Sequence, residues 1–127
     1  MTDLQNLSLS AMATRLRDGS ATATAIAEAC LARVETREGT VGAWQHIDPE
    51  RVLEQAARRD TEAPSSSLHG IPVGLKDIID TEDMPTTYGS PIYAGHTPRK
   101  DAIMVQRLRA AGAVLMGKTQ GLCMTCG

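Results

Sequence analysis

Apolar residues recur with a helical period over the first sixty positions and then change to short, dense runs. Leu9, Met12, Ala13 and Leu16 stand at i, i+3, i+4 and i+7, with Ser8 placed to cap the start and Gly19 the end, which predicts a first helix. A second helix is expected from about residues 20–24 to 38, with Ile26, Cys30, Leu31 and Val34 on its buried stripe and Gly39 as its stop. VGAWQHI, residues 41–47, reads as a short strand. Asp48-Pro49-Glu50 follows, an N-cap before proline at the first helical position, and predicts a third helix over 49–59 that buries Val52, Leu53, Ala56 and Ala57.

After a polar loop at 61–67 the pattern tightens. In LHGIPVGLKDIID, residues 68–80, Ile71, Val73, Leu75, Ile78 and Ile79 lie too close together for a half-exposed strand, so a strand buried on both faces is expected. Residues 81–100 carry three prolines and two glycines and read as a long loop, a length that in compact domains usually goes with function. Asp101 is placed to cap a fourth helix with Ile103, Met104, Leu108 and Ala111 turned inward and Gly112 at its end. Residues 113–116 then form a second buried strand. Strand, long connection, helix, strand is the order of an α/β sheet.

Composition narrows the picture. The 127 residues suit one modest domain; they are 42% hydrophobic but only 2% aromatic, with no Phe, so the core must be aliphatic. A net charge of -2 gives no electrostatic footprint for nucleic acid, and no apolar run is long enough for a membrane helix. The N-terminus lacks the basic start and apolar stretch of a secretory signal, and three cysteines make no disulfide framework. A cytoplasmic location is the expectation.

Two lysines carry candidate chemistry. GAVLMGKT, residues 112–119, satisfies the phosphate-loop pattern G-x-x-x-x-G-K-[ST]. The context is wrong, because a helix rather than a strand precedes Gly112 and the four intervening residues are strand formers. Nucleotide binding is therefore a distant alternative. Lys76 stands in GIPVGLKDII among apolar neighbours. A desolvated amine sheds its proton more easily and can act as a base; the plainer reading is a strand-end lysine whose stem packs while its head reaches water.

LHGIPVGLKDIIDTEDMPTTYGSPIYAG, followed by D-x-x-x-V-x-R-L-R-x-A-G-A-V-x-x-G-K-T, closely resembles the amidase signature enzymes, and AWQHIDPERVLEQAARRD extends the resemblance to bacterial amidases and aminoacyl-tRNA amidotransferase A subunits. The resemblance implies the N-terminal part of that family's α/β fold: one incomplete domain over 1–127, with a mainly helical region at 1–60, an amidase-like core segment at 68–119 and an atypical tail at 120–127. It implies hydrolysis of amide C–N bonds by a serine nucleophile, a second serine behind a cis peptide bond, and a lysine base, which Lys76 matches. Met84, Thr86, Gly89 and Ser90 fall where the family places a loop near that lysine, which makes them substrate-loop candidates beside a plain proline-glycine turn.

A small-molecule amide is the implied partner. No cofactor and no metal are implied, and a further protein partner or oligomer is left open. The family's serines lie downstream of the lysine in a glycine- and serine-rich stretch that this sequence lacks, and Ser65, Ser66 and Ser67 stand on the wrong side of Lys76. The expectation is a chain truncated before its serines and inactive alone, with a non-catalytic remnant or interaction module of the same fold as the alternative. Cys123 and Cys126 form C-x-x-C without the context of a redox or zinc site. His69 reads as structural, and Arg99, Lys100, Arg107 and Arg109 as solvated surface.

Overall fold

Ser8 opens the first helix, α1 (Leu9–Asp18), by accepting the Ala11 N–H at 3.1 Å, and Gly19 ends it in the left-handed region. The computed structural model describes residues 3–121. The second helix, α2 (Ala23–Val41), starts at Thr22 and runs through Gly39 to Gly42. Gly39 fails to stop it because the Glu38 carboxylate accepts the N–H groups of Ala43 (2.8 Å) and Trp44 (2.7 Å), tying the next segment to the last turn. One interior glycine costs only about 1 kcal/mol, which such contacts offset.

Trp44–Ile47 forms strand β1, and α3 (Pro49–Asp60) follows behind its Asp48 cap as the sequence predicts. Val52 and Ala56 are buried and Leu53 is partly so, but Ala57 is exposed, at the margin of the stripe. Pro72–Lys76 forms β2, Ile103–Ala110 forms α4 and Val114–Thr119 forms β3.

The strand order is β1-β3-β2, with β3 antiparallel to β1 and parallel to β2. This order corrects the burial expected from the sequence. The strand buried on both faces is β3, whereas β2 lies at an edge with only Leu75 of its five residues buried. Position in the sheet decides burial here, since a central strand is covered by both neighbours and both helical layers. Val114 and Met116 pack with Ala23, Ala27, Val52 and Ala56 of α2 and α3, while Leu115 packs on the other face with Leu75, Met84 and Val105. The α/β architecture expected from the element order is thus present. Gly117 must be glycine, because a Cβ there would overlap the His46 carbonyl of β1.

The fourth helix also departs from expectation. Asp101 does not cap it; its carboxylate accepts the Glu82 N–H at 2.8 Å and Arg109 Nε–H at 2.8 Å. Val105 is the fully buried residue, Leu108 and Ala111 are partly buried, and Ile103 (68%) and Met104 (52%) are exposed. The Arg109–Asp101 tie sets the helix rotation, so Arg109 belongs to a buried-edge ion pair and not to a freely solvated surface. Among the described residues no helix is long and apolar enough to cross a membrane.

Candidate active site

Lys76 ends β2, opposite Thr119 of β3. Its side chain is exposed, and the apolar neighbours that suggested a dry environment do not enclose it: Ile78 is itself 40% exposed. Its head reaches water among the described residues, so burial by neighbours along the chain is not what would make this amine a base. A Cβ on Gly121 would come within 3.2 Å of Lys76 Cε, so the stem lies along the backbone that leaves β3.

Asp77 opens the turn just beyond β2, donating its N–H to the Thr119 carbonyl at 3.0 Å, and its side chain is fully buried. Asp77 is buried where Lys76 is exposed, so the two side chains leave the backbone on different sides. The Asp77 carboxylate accepts the Thr87 N–H at 2.9 Å and the Thr87 hydroxyl, which brings the long loop back to the carboxyl end of β2. Further ties hold the same loop. Tyr88 donates its hydroxyl to Asp80 at 2.5 Å, and Asp83 pairs with Arg51 at 3.2 Å and Arg109 at 2.8 Å. A segment expected to be long and irregular is therefore pinned from several sides.

The buried lysine of this region is Lys118, which in the sequence belongs both to the phosphate-loop match and to the G-K-T that ends the amidase-like motif. It has 0% exposure, and its ammonium donates to the Ile79 carbonyl at 2.9 Å, the Pro85 carbonyl at 3.5 Å and the Thr86 hydroxyl. Burial pulls its pKa below the ordinary lysine value, against the opposing field of Asp77, with Asp80, Asp83 and Asp101 beyond. Residues 114–119 are extended and Lys118 sits inside the strand, so no phosphate-cradling loop exists there. The signal that could have found it was available: Ala-Val-Leu-Met-Gly before Lys118 is more apolar than the run before Lys76.

Of the loop candidates, Met84, Thr86 and Ser90 are buried. Thr86 binds Lys118, Ser90 Oγ accepts the Ile92 N–H at 3.3 Å, and Gly89 turns with φ +73°. Gly89 and Ser90 also help line a concave pocket of about 250 Å³ with Gln45, Thr87, Pro91 and Ala94. Met84 belongs to the core beside Leu75 and Val105. The four are thus brought to one end of the sheet, with Met84 and Thr86 facing inward.

His69 is structural as expected: its Nε2–H donates to the Arg59 carbonyl at 2.9 Å, and Gly112 packs so tightly against the ring that a Cβ would overlap Nδ1. Ser66 donates to the Ala111 carbonyl at 2.7 Å, in an exposed turn. Cys123 and Cys126 lie outside the described residues.

Comparison with known proteins accounts for this arrangement. The Amidase family profile matches residues 25–122. The A subunit of the glutamyl-tRNA(Gln) amidotransferase from Chloroflexus aggregans is 45% identical over 122 residues, which are 93% of this chain and 25% of that protein. Its counterpart from Salinispora arenicola is 42% identical over 123 residues, which are 94% of this chain and again 25% of that protein. The native peptide amidase of Stenotrophomonas maltophilia superposes with a TM-score of 0.83 at 36% identity, over 90% of this chain and 24% of that one. This chain therefore spans about a quarter of the length of these proteins. Likenesses in profile, sequence and backbone agree on the stretch that carries Lys76: the chain belongs to the amidase family.

Proposed function

We propose that this chain supplies the lysine side of a site that cleaves amide C–N bonds, with Lys76 as the base. The single observation that carries the reading is the position of Lys76 at the carboxyl end of a parallel strand, with the 84–90 loop folded onto the same end. Loops beyond the carboxyl ends of strands are where α/β folds build their sites. Residues 68–119 hold this chemistry, and α2 and α3 back the sheet that supports it.

The mechanism follows from the family resemblance. A serine hydroxyl attacks the amide carbonyl carbon, and its proton passes through a second serine to the Lys76 amine. Collapse of the tetrahedral adduct breaks the C–N bond, and the departing nitrogen takes a proton back from the same relay. Water then attacks the acyl-serine and releases the carboxylate. Ser90 is the only serine downstream of Lys76 and is buried as a turn cap, which supports a nucleophile supplied from outside these 127 residues. The substrate class is a small amide, in line with the names amidotransferase and peptide amidase borne by the relatives.

The reading is tested by exchange. Residues 3–121 replace the matching quarter of the Stenotrophomonas peptide amidase, and ammonia release from a peptide amide is followed. The chimera is expected to turn over, the isolated 127-residue chain to release nothing, and Lys76→Met in the chimera to lower kcat/KM by about 10²–10⁴-fold. An active chimera indifferent to Lys76→Met would refute the assignment.

A further inference from the structure

Lys118 is a fully buried cation that the chemistry proposed above does not use. An ammonium without water is costly unless its protons are bound, and here they go to three oxygens of one loop: the carbonyls of Ile79 and Pro85 and the hydroxyl of Thr86. Ile79 and Pro85 flank the turn that leaves β2, so one amine bridges both sides of it. Thr86 is followed directly by Thr87, which grips the Asp77 carboxylate through its N–H and its hydroxyl. Asp77 is followed back along the chain by Lys76. Lys118 itself is registered opposite Leu75, and Thr119 opposite Lys76.

The result is a closed circuit. It runs from Lys118 through Thr86 and Thr87 to Asp77, and returns through the β2–β3 pairing, with Lys76 exposed beside the buried Asp77. Core packing alone would be served by an aliphatic residue at position 118, as at Val114, Leu115 and Met116. A lysine there brings a directional function, since each of its three protons specifies an oxygen position.

We infer that Lys118 is a positioning residue, whose buried amine locks the 79–87 turn so that Thr87 keeps Asp77 occupied and Lys76 unencumbered at the end of β2. The inference rests on Lys76 being the reactive lysine, but its test needs no amide hydrolysis, so a failed chimera and a failed clamp are distinguishable.

Lys76, Lys100 and Lys118 are the chain's three lysines, which permits a direct experiment on the 127-residue protein. Acylation by acetic anhydride at limiting dose is read residue by residue by peptide mass spectrometry, with exposed Lys100 as internal reference. Amide hydrogen exchange at Asp77, Thr86 and Thr87 is measured on the same samples. In the native chain Lys118 is expected to resist acylation. In Lys118→Met, the three amides are expected to exchange at least tenfold faster and the Lys76:Lys100 acylation ratio to fall at least threefold, because loosening the turn frees Asp77 from Thr87 to swing to the Lys76 side and pair with it. Thr86→Val removes one acceptor without emptying the core, and is expected to move both readouts the same way by a smaller factor; it carries the test if Lys118→Met does not fold. Faster exchange with an unchanged ratio would make Lys118 a purely structural tie and overturn the inference, as would unchanged exchange in either variant.

Discussion

Lys76 and Lys118 stand on adjacent strands at nearly the same level of the sheet, yet one is exposed and the other is sealed. The difference comes from which face each side chain takes at the end of its strand, a matter of register that no local pattern specifies. Tyr88 shows a second residue-level constraint. It is the one non-glycine residue with positive φ (54°) among those described, held by its bond to Asp80 and by ring contacts with Tyr93 at 5.1 Å and His96 at 6.1 Å. Such conformations persist only where surrounding contacts over-determine them. The Asp80 hydrogen bond, burial and the Asp80 charge push the Tyr88 phenol up to about 12 from its ordinary 10.0. The folded chain therefore holds that proton more tightly than the unfolded chain. The stabilisation is complete below about pH 10 and is lost as the pH rises through about 12. Urea unfolding of the wild type and Tyr88→Phe across pH 8 to 12 should show a stability gap that closes over that window; a gap constant with pH would deny the Tyr88–Asp80 bond its role.

Elements here begin and end through contacts made by other elements as much as by their own caps. The N-terminus of α2 shows this. Thr22 caps it locally, but Asp60 at the end of α3 also accepts the Ala23 N–H (2.7 Å), the Thr24 N–H (3.1 Å) and the Thr24 hydroxyl (2.6 Å). One carboxylate thus fixes the α2–α3 crossing as well as satisfying helix donors. Asp60→Ala is expected to cost about 1–2 kcal/mol, the range for losing such a cap, seen as a lower urea midpoint with unchanged slope. A midpoint identical to wild type would mean that water replaces the carboxylate without loss. Gln55 of α3 acts similarly on the sheet, pairing both its amide groups with the Leu115 backbone at 2.9 and 3.0 Å, beside the register shift that separates Val73 from Gly74.

For the molecule as a whole, the three-stranded sheet leaves one edge of β1 and one of β2 unpaired among the described residues. Ile78, Ile92, Ile103 and Met104 are exposed as well. Open strand edges beside apolar surface are templates for association. The isolated chain is therefore expected to be marginally stable and to self-associate, with weight-average mass rising with concentration in sedimentation equilibrium. A monomer at all concentrations with a sharp cooperative thermal transition would count against this.

The helices at 9–18 and 49–60, the α/β order and the family likeness around Lys76 were all legible in the residues, because caps, helical periodicity and motif spacing are local properties carried by neighbours in sequence. Which strand lies at the centre, which face of α4 turns inward, and which of two lysines loses its water were decided only by tertiary structure. Those outcomes depend on strand order and on pairs such as Lys118–Thr86 and Arg109–Asp101. Burial belongs to the assembled layers, and a residue's own neighbours along the chain do not determine what will cover it.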